Sequence, residues 1–225
     1  MKPVLSPTSG WIARRRYAIL FYALLATIAV GPLLEALDIG RLAMEMLLTA
    51  SLVAAVFPIG ALHKRRTMLV IVALALLLRG LSAYLDSATI SAVGAILWGA
   101  VALMAVFGAI RYSMSSARVD LEQLYAALSA YLLIGVCWGV VYVAVVKLYP
   151  GALLLGGQPL PRGLGMGDAI YFSFVTLATL GYGDFTPATP VMRGLSVFEA
   201  IIGQLYLAIM VARLVSLRVA TVSSE

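Results

Sequence analysis

Six runs of about twenty apolar residues, parted by short polar breaks, restrict what this chain can fold into more than any other feature. They lie at 17–37, 42–62, 67–85, 88–110, 121–148 and 194–217 of the 225 residues. At 1.5 Å rise per residue, such a run matches the roughly 30 Å hydrocarbon thickness of a bilayer. Composition agrees, because a chain 63% hydrophobic and 12% charged, with a mean hydropathy of +1.03, has too few polar residues to cover a soluble globule. The expected fold is an all-α membrane protein with six transmembrane helices.

The basic residues give the expected orientation. An even number of spans puts both termini on one side, together with Lys2, Arg14, Arg15, Arg16, Lys64, Arg65, Arg66, Arg111, Arg118, Arg213 and Arg218, eleven of the 16 Lys and Arg. The positive-inside rule makes that side cytoplasmic. Arg41, Lys147, Arg162 and Arg193 fall in the opposite loops, and Arg79 lies within the third run. This distribution accounts for the net charge of +6 without nucleic acid, and the cluster from His63 to Arg66 reads as a topology and lipid-headgroup anchor. The arginines at 14–16 precede a stretch too long for a secretory signal core, so it is read as the first span. Cys137, the one cysteine, has no partner for a disulfide and reads as a small buried hydrophobe.

Between the fifth and sixth runs the pattern changes. Residues 150–167 carry Gly156-Gly157, Pro159, Pro161 and alternating glycines at 163, 165 and 167, which break helix and strand patterns and read as an extracellular turret. A phosphate-cradling loop needs a βαβ setting that is missing here. Asp168 to Thr179 then predicts a helix of about 18 Å, too short to cross and therefore re-entrant. Asp168 suits the positive end of its dipole. The following Thr179-Leu180-Gly181-Tyr182-Gly183-Asp184 places glycines where successive peptide units can turn their carbonyl oxygens toward one axis without a Cβ clash, as coordination of a dehydrated cation requires. Non-helical backbone at membrane depth must be enclosed by protein, and one chain supplies one wall.

Tyr171-Phe172-Ser173-Phe174-Val175-Thr176 running into Thr179-Leu180-Gly181-Tyr182-Gly183-Asp184 resembles the pore of the potassium channel family, particularly its small prokaryotic six-transmembrane members with a single pore loop. The resemblance covers roughly the last hundred residues. It implies a homotetramer with a potassium-selectivity filter, in which K+ is held by Thr179, Leu180, Gly181 and Tyr182, with Gly183 completing the strand and the Thr179 hydroxyl closing the innermost site. It implies support from Tyr171, Phe172, Phe174, Thr176 and Asp184. Tyr182 is expected to pack against Tyr171, Phe172 and Phe174, and Asp184 to accept a hydrogen bond from Tyr171, where many members have tryptophan. Val175 stands where some relatives carry a glutamate, so inactivation through that acid is not expected. Gly203 falls where many members have a hinge glycine, and reads either as a hinge or as a close-packing residue. Gln204, Leu207, Val211 and Val215 share one helical face and are candidate cavity-lining positions, Gln204 being equally suited to an interhelical hydrogen bond. Glu199 is assigned to a polar contact behind the pore helix.

The expected organisation is a cytoplasmic segment at 1–16, four front helices at 17–110, a linker at 111–120, and a pore domain at 121–225. The pore domain comprises the outer helix 121–148, turret 150–167, pore helix 168–179, filter 179–184 and inner helix 194–217. The fourth run carries no charged residue, so steep voltage gating is not expected; Arg79 is assigned to a static pair with Glu35, Glu45 or Asp86. Ser113, Ser115 and Ser116 are candidate caps of a short interfacial helix. Too few residues follow Leu217 for a cytoplasmic sensing domain, which leaves a separate cytoplasmic regulator as a further partner. The expected activity is passive potassium conduction in a cell membrane, the prokaryotic inner membrane by the resemblance, with no enzymatic reaction and no cofactor beyond the permeant ion. The alternatives are a non-conducting or regulatory channel subunit, and a subunit of a potassium transporter, which typically needs four filter-like segments where one is present.

Overall fold

The computed structural model describes residues 15–35, 50, 70–74, 77, 88–115, 120–161 and 163–222. Its main elements are α1 (Arg16–Glu35), α2 (Ala88–Ser113), α3 (Leu121–Leu148), β1 (Leu153–Leu155), β2 (Gln158–Pro159), α4 (Met166–Leu177), β3 (Phe185–Pro187) and α5 (Pro190–Val222). They belong to two compact units, which divide α3 near residue 133. Two segments among the described residues are long and apolar enough to cross a membrane, Leu121–Leu148 and Pro190–Arg213, while α1 and α2 contribute the shorter apolar stretches Arg16–Val30 and Gly99–Ser113. The expected spans at 42–62 and 67–85, the His63–Arg66 cluster and the Arg79 pairing lie outside the described residues, save 50, 70–74 and 77 within the two spans.

The first unit joins α1, α2 and the start of α3. Tyr17 stacks on Tyr112 with ring centroids 4.5 Å apart, and the Arg16 guanidinium lies 5.0 Å from the Tyr112 ring. The Tyr17 backbone N–H donates to Glu122 at 3.0 Å, and the Ser129 hydroxyl donates to the Tyr17 carbonyl at 3.4 Å. Leu20, Leu24, Val101, Ala109, Ala126 and Ala130 are buried. The serines expected to cap an interfacial helix do something else: the Ser113 and Ser115 hydroxyls donate to the carbonyls of Ile110 and Tyr112, three residues back, at the end of α2. Asp120 does the capping of α3, its side chain accepting the Leu121 N–H at 2.7 Å while Gln123 Oε1 accepts the Asp120 N–H at 3.4 Å. Ser116 lies outside the described residues.

The second unit is built on the remainder of α3. The turret is not strandless, and the fold is mostly helical rather than all-α. Gly156 and Gly157 have φ of 56° and 80°, the pair of positive values that a two-residue type I′ hairpin demands. They join β1 to β2 with Leu155 opposite Gln158. On its other edge β1 pairs antiparallel with β3, Leu155 opposite Phe185 and Leu153 opposite Pro187, giving the strand order β2-β1-β3. Leu153 of β1 and Phe185 of β3 join Tyr142, Val146, Ala152, Ala169, Phe172 and Met192 in the buried core of this unit. Helix α5 starts four residues before the expected Gly194, because the Thr189 hydroxyl accepts the Met192 N–H at 3.3 Å and Pro190 fits the first helical position.

Candidate functional site

The site begins where α4 stops. Helix α4, Met166–Leu177, lies two residues before the 168–179 expected for a pore helix, and beyond its end stands Thr179, whose φ of 57° no right-handed helix accommodates. The Thr179 N–H donates to the Thr176 carbonyl at 3.0 Å, and the N–H groups of Leu180 and Gly181 share the Val175 carbonyl at 2.9 and 3.3 Å. The ribbon that leaves α4 is thus tied to its last turn through backbone donors, which leaves the ribbon's own carbonyls to find other partners.

Thr179, Gly181 and Gly183 have φ of 57°, 60° and 81°, whereas Leu180 and Tyr182 between them keep negative φ. In an ordinary strand successive carbonyls point to opposite sides. Reversing the backbone hand at every second residue turns alternate peptide units over, the arrangement that brings a row of carbonyls to one side of a ribbon. A β-branched residue in the left-handed region costs on the order of 1–3 kcal/mol and persists only where its surroundings impose it. The bonds to Thr176 and Val175 are that constraint. From Thr179 to Gly183 every residue of the ribbon is exposed, Leu180 by 57% and Tyr182 by 67%.

The end of the ribbon away from α4 is clamped twice. The Asp184 carbonyl accepts the Gly156 N–H at 2.8 Å, so the turret hairpin holds the backbone, and the Asp184 side chain accepts the Tyr171 hydroxyl at 2.8 Å. Desolvation, the largest single influence, acts to raise the Asp184 carboxyl, but the Tyr171 hydroxyl and the backbone N–H groups of Phe185 and Asp184 together prevail and hold it below the usual carboxylate range. The same bond pushes the Tyr171 phenol up. Tyr171 also stacks against Tyr182, centroids 6.5 Å apart at 12°. The expected aromatic collar is narrower than Tyr171, Phe172 and Phe174 together. Phe172 instead meets Tyr142 at 4.8 Å and Phe185 at 6.3 Å, and the Phe174 ring lies over Gly135.

Behind α4 the packing is close enough to exclude a methyl group. A Cβ on Gly135 would come within 2.6 Å of the Phe174 ring, and one on Gly139 within 3.0 Å of Ile170. These two glycines, four residues apart on α3, form a small-residue seam of the kind that lets helix backbones approach in a membrane. On the other flank, a Cβ on Gly203 of α5 would lie 2.3 Å from the Leu177 carbonyl oxygen. The two readings of Gly203 therefore divide, since close packing is what the geometry displays and a hinge remains an expectation. Gln204, Leu207, Val211 and Val215 are exposed on α5.

Sequence reasoning placed Glu199 in a polar contact behind α4 without finding its partners. Glu199 is fully buried, accepting from the Tyr142 hydroxyl of α3 and lying 2.5 Å from the Ser173 hydroxyl of α4. Ser173 in turn donates to the Gly135 carbonyl at 2.7 Å. The available signal was a lone acid seven residues beyond Met192 and four before Gly203, on the one stripe of α5 that faces inward.

The region holding this ribbon matches known proteins. Residues 130–219 match the family described as ion channel, so this part of the chain carries an ion channel domain. The chain is 38% identical over 89 residues, 40% of its length, to the two pore potassium channel c of Oryza sativa subsp. japonica. That match takes in 17% of the relative's length. No solved structure matches the chain.

Proposed function

We propose that this chain is the subunit of a potassium-selective channel, in which four copies surround one axis and the carbonyls of Thr179, Leu180, Gly181 and Tyr182 replace the water shell of the ion. The single observation that carries this reading is the alternating hand of the backbone at Thr179, Gly181 and Gly183 in a ribbon exposed along its length. A row of carbonyls on one ribbon offers a cation one side of a coordination shell, and symmetry supplies the others. The 38% identity to a potassium channel over 89 residues supports the choice of ion.

In this reading the protein crosses the cell membrane six times with both ends in the cytoplasm, conducts passively and carries no steep voltage sensor. Asp184, Tyr171 and Thr176 hold the filter, and Gln204, Leu207, Val211 and Val215 line the cavity below it. The test is flux from liposomes containing the purified protein. Potassium efflux that sodium does not match is the expected result. Equal fluxes of the two ions would refute the selectivity reading, and no flux under several lipid and pH conditions would favour a non-conducting subunit.

A further inference from the structure

Counting protons behind α4 leads to an assignment that the filter reading does not contain. Three oxygen-to-oxygen contacts form a chain across three helices: Tyr142 Oη to Glu199 Oε2, Glu199 Oε1 to Ser173 Oγ at 2.5 Å, and Ser173 Oγ to the Gly135 carbonyl at 2.7 Å. Two oxygens this close repel unless a hydrogen lies between them, so each contact needs one proton. Tyr142 and Ser173 have one each, a backbone carbonyl has none, and an ionised carboxylate has none.

Two protons cannot serve three contacts. Were Glu199 ionised, the Ser173 hydroxyl would turn either to Gly135 or to Glu199, leaving the other contact empty. If instead the proton sat on Oε2 it would displace that of Tyr142, and Ser173 would still face two acceptors. The remaining arrangement satisfies all three contacts: Tyr142 donates to Oε2, Oε1–H donates to Ser173, and Ser173 donates to Gly135. We infer that Glu199 is a neutral carboxylic acid whose proton bonds to Ser173 and so fixes α4 between α3 and α5, making it a positioning residue for the ribbon that leaves α4.

The surroundings agree. Tyr142, Ser173 and Glu199 are all fully buried, and no charged group acts on Glu199 among the described residues. The polar groups facing it are the hydroxyls of Tyr142 on α3 and Ser173 on α4; on its own helix, the Ser196 hydroxyl bonds the Met192 carbonyl at 2.9 Å and also lies against the Tyr142 hydroxyl. A lone carboxylate in such a place loses its hydration with no cation to offset the loss.

The assignment of the proton stands by itself, whereas its consequence for selectivity rests on the potassium-channel reading. The experiment separates them. Infrared difference spectra of the purified, full-length protein and its Glu199→Gln variant are expected to show a carboxylic acid C=O band in the wild type alone, shifted by deuterium exchange. Loss of carboxylate bands and no acid band would overturn the assignment. The glutamine amide keeps an acceptor and replaces the acid proton with an N–H donor, its second N–H being the one group added, so Glu199→Gln should retain most of the thermal stability of the wild type and its potassium-over-sodium ratio. Ser173→Ala and Tyr142→Phe each remove a proton from the chain and should lower that ratio on the order of tenfold, as expected when a buried polar group is left unsatisfied. Should Glu199→Gln fall as far as these two, the positioning role is refuted. If the wild type itself passes no potassium, the conduction reading fails while the infrared band still decides the proton.

Discussion

At the scale of single residues, the ribbon from Thr179 to Asp184 is constrained by backbone hand more than by side-chain packing. A Cβ on Gly181 or Gly183 would meet nothing within 4 Å inside one protomer, yet their φ values of 60° and 81° disfavour any L side chain. Alanine at either position should therefore cost about 1–2 kcal/mol through the backbone alone, and the local relief is a peptide flip that turns a carbonyl away. We expect Gly181→Ala and Gly183→Ala to yield folded protein whose reversal potential no longer separates potassium from sodium; an unchanged permeability ratio would refute the filter assignment. Asp184 makes a second prediction. Its carboxyl sits below the usual range because the charged form accepts from Tyr171 and the backbone, so that support is complete above the carboxyl's unfolded value and is lost as pH falls through its lowered folded value. Acidifying the outer solution should destabilise the conducting filter severalfold in dwell time, and Tyr171→Phe should remove most of that acid sensitivity. Single-channel recording at stepped pH checks both, and identical pH profiles would show that the Tyr171–Asp184 bond does not govern the mouth.

At the scale of elements, the helices were legible where local chemistry ends them. Helix α3 has the bounds its apolar run predicts, with Asp120 as cap at one end and Pro150 just past the other. The start of α5 was misplaced because the run was judged by hydropathy, while the helix begins at a polar cap, Thr189 followed by Pro190. The turret sheet escaped for a different reason. Its strands are two or three residues long, and β3 lies thirty positions from β1, so no window of alternating residues reveals the pairing; the Gly156-Gly157 pair was the one local sign. Likewise the partners of Glu199 lie 26 and 57 residues away, a distance at which only the folded helices bring side chains together. The element-scale prediction concerns Gly203. With the Leu177 carbonyl 2.3 Å from a prospective Cβ, and backbone rather than a flexible side chain in the way, Gly203→Ala must push α5 from the end of α4. The cost expected is about 1–3 kcal/mol, visible as a lowered midpoint in thermal unfolding of detergent-purified protein. A hinge role predicts an altered open probability at unchanged stability, so the two readings part in one pair of measurements.

At the scale of the whole molecule, what matters is how much of α5 is exposed among the described residues. Met192, Glu199, Gly203 and Met210 recur at intervals of seven, four and seven residues, so they fall on one stripe, and they are buried. Away from that stripe, Val197, Phe198, Ile201, Leu205, Ile209, Val211 and Val215 are each half exposed or more. Exposed apolar surface on this scale is not left to water. Lipid can cover a featureless apolar face, but it cannot cover the ribbon from Thr179 to Gly183, whose backbone groups would go unsatisfied in hydrocarbon at several kcal/mol each. Only protein or a coordinated, hydrated pore satisfies them, and in the proposed assembly further copies of this chain would supply both. Protein extracted in mild detergent should therefore show a polypeptide mass four times the 23.9 kDa of one chain, measured by native mass spectrometry. The assembly should resist dissociation better in potassium than in sodium, since an ion held by carbonyls of all four ribbons stabilises the assembled state alone. A stable monomer, or a tetramer whose dissociation is the same in both salts, would separate the ribbon from any symmetry axis and remove the ground for conduction.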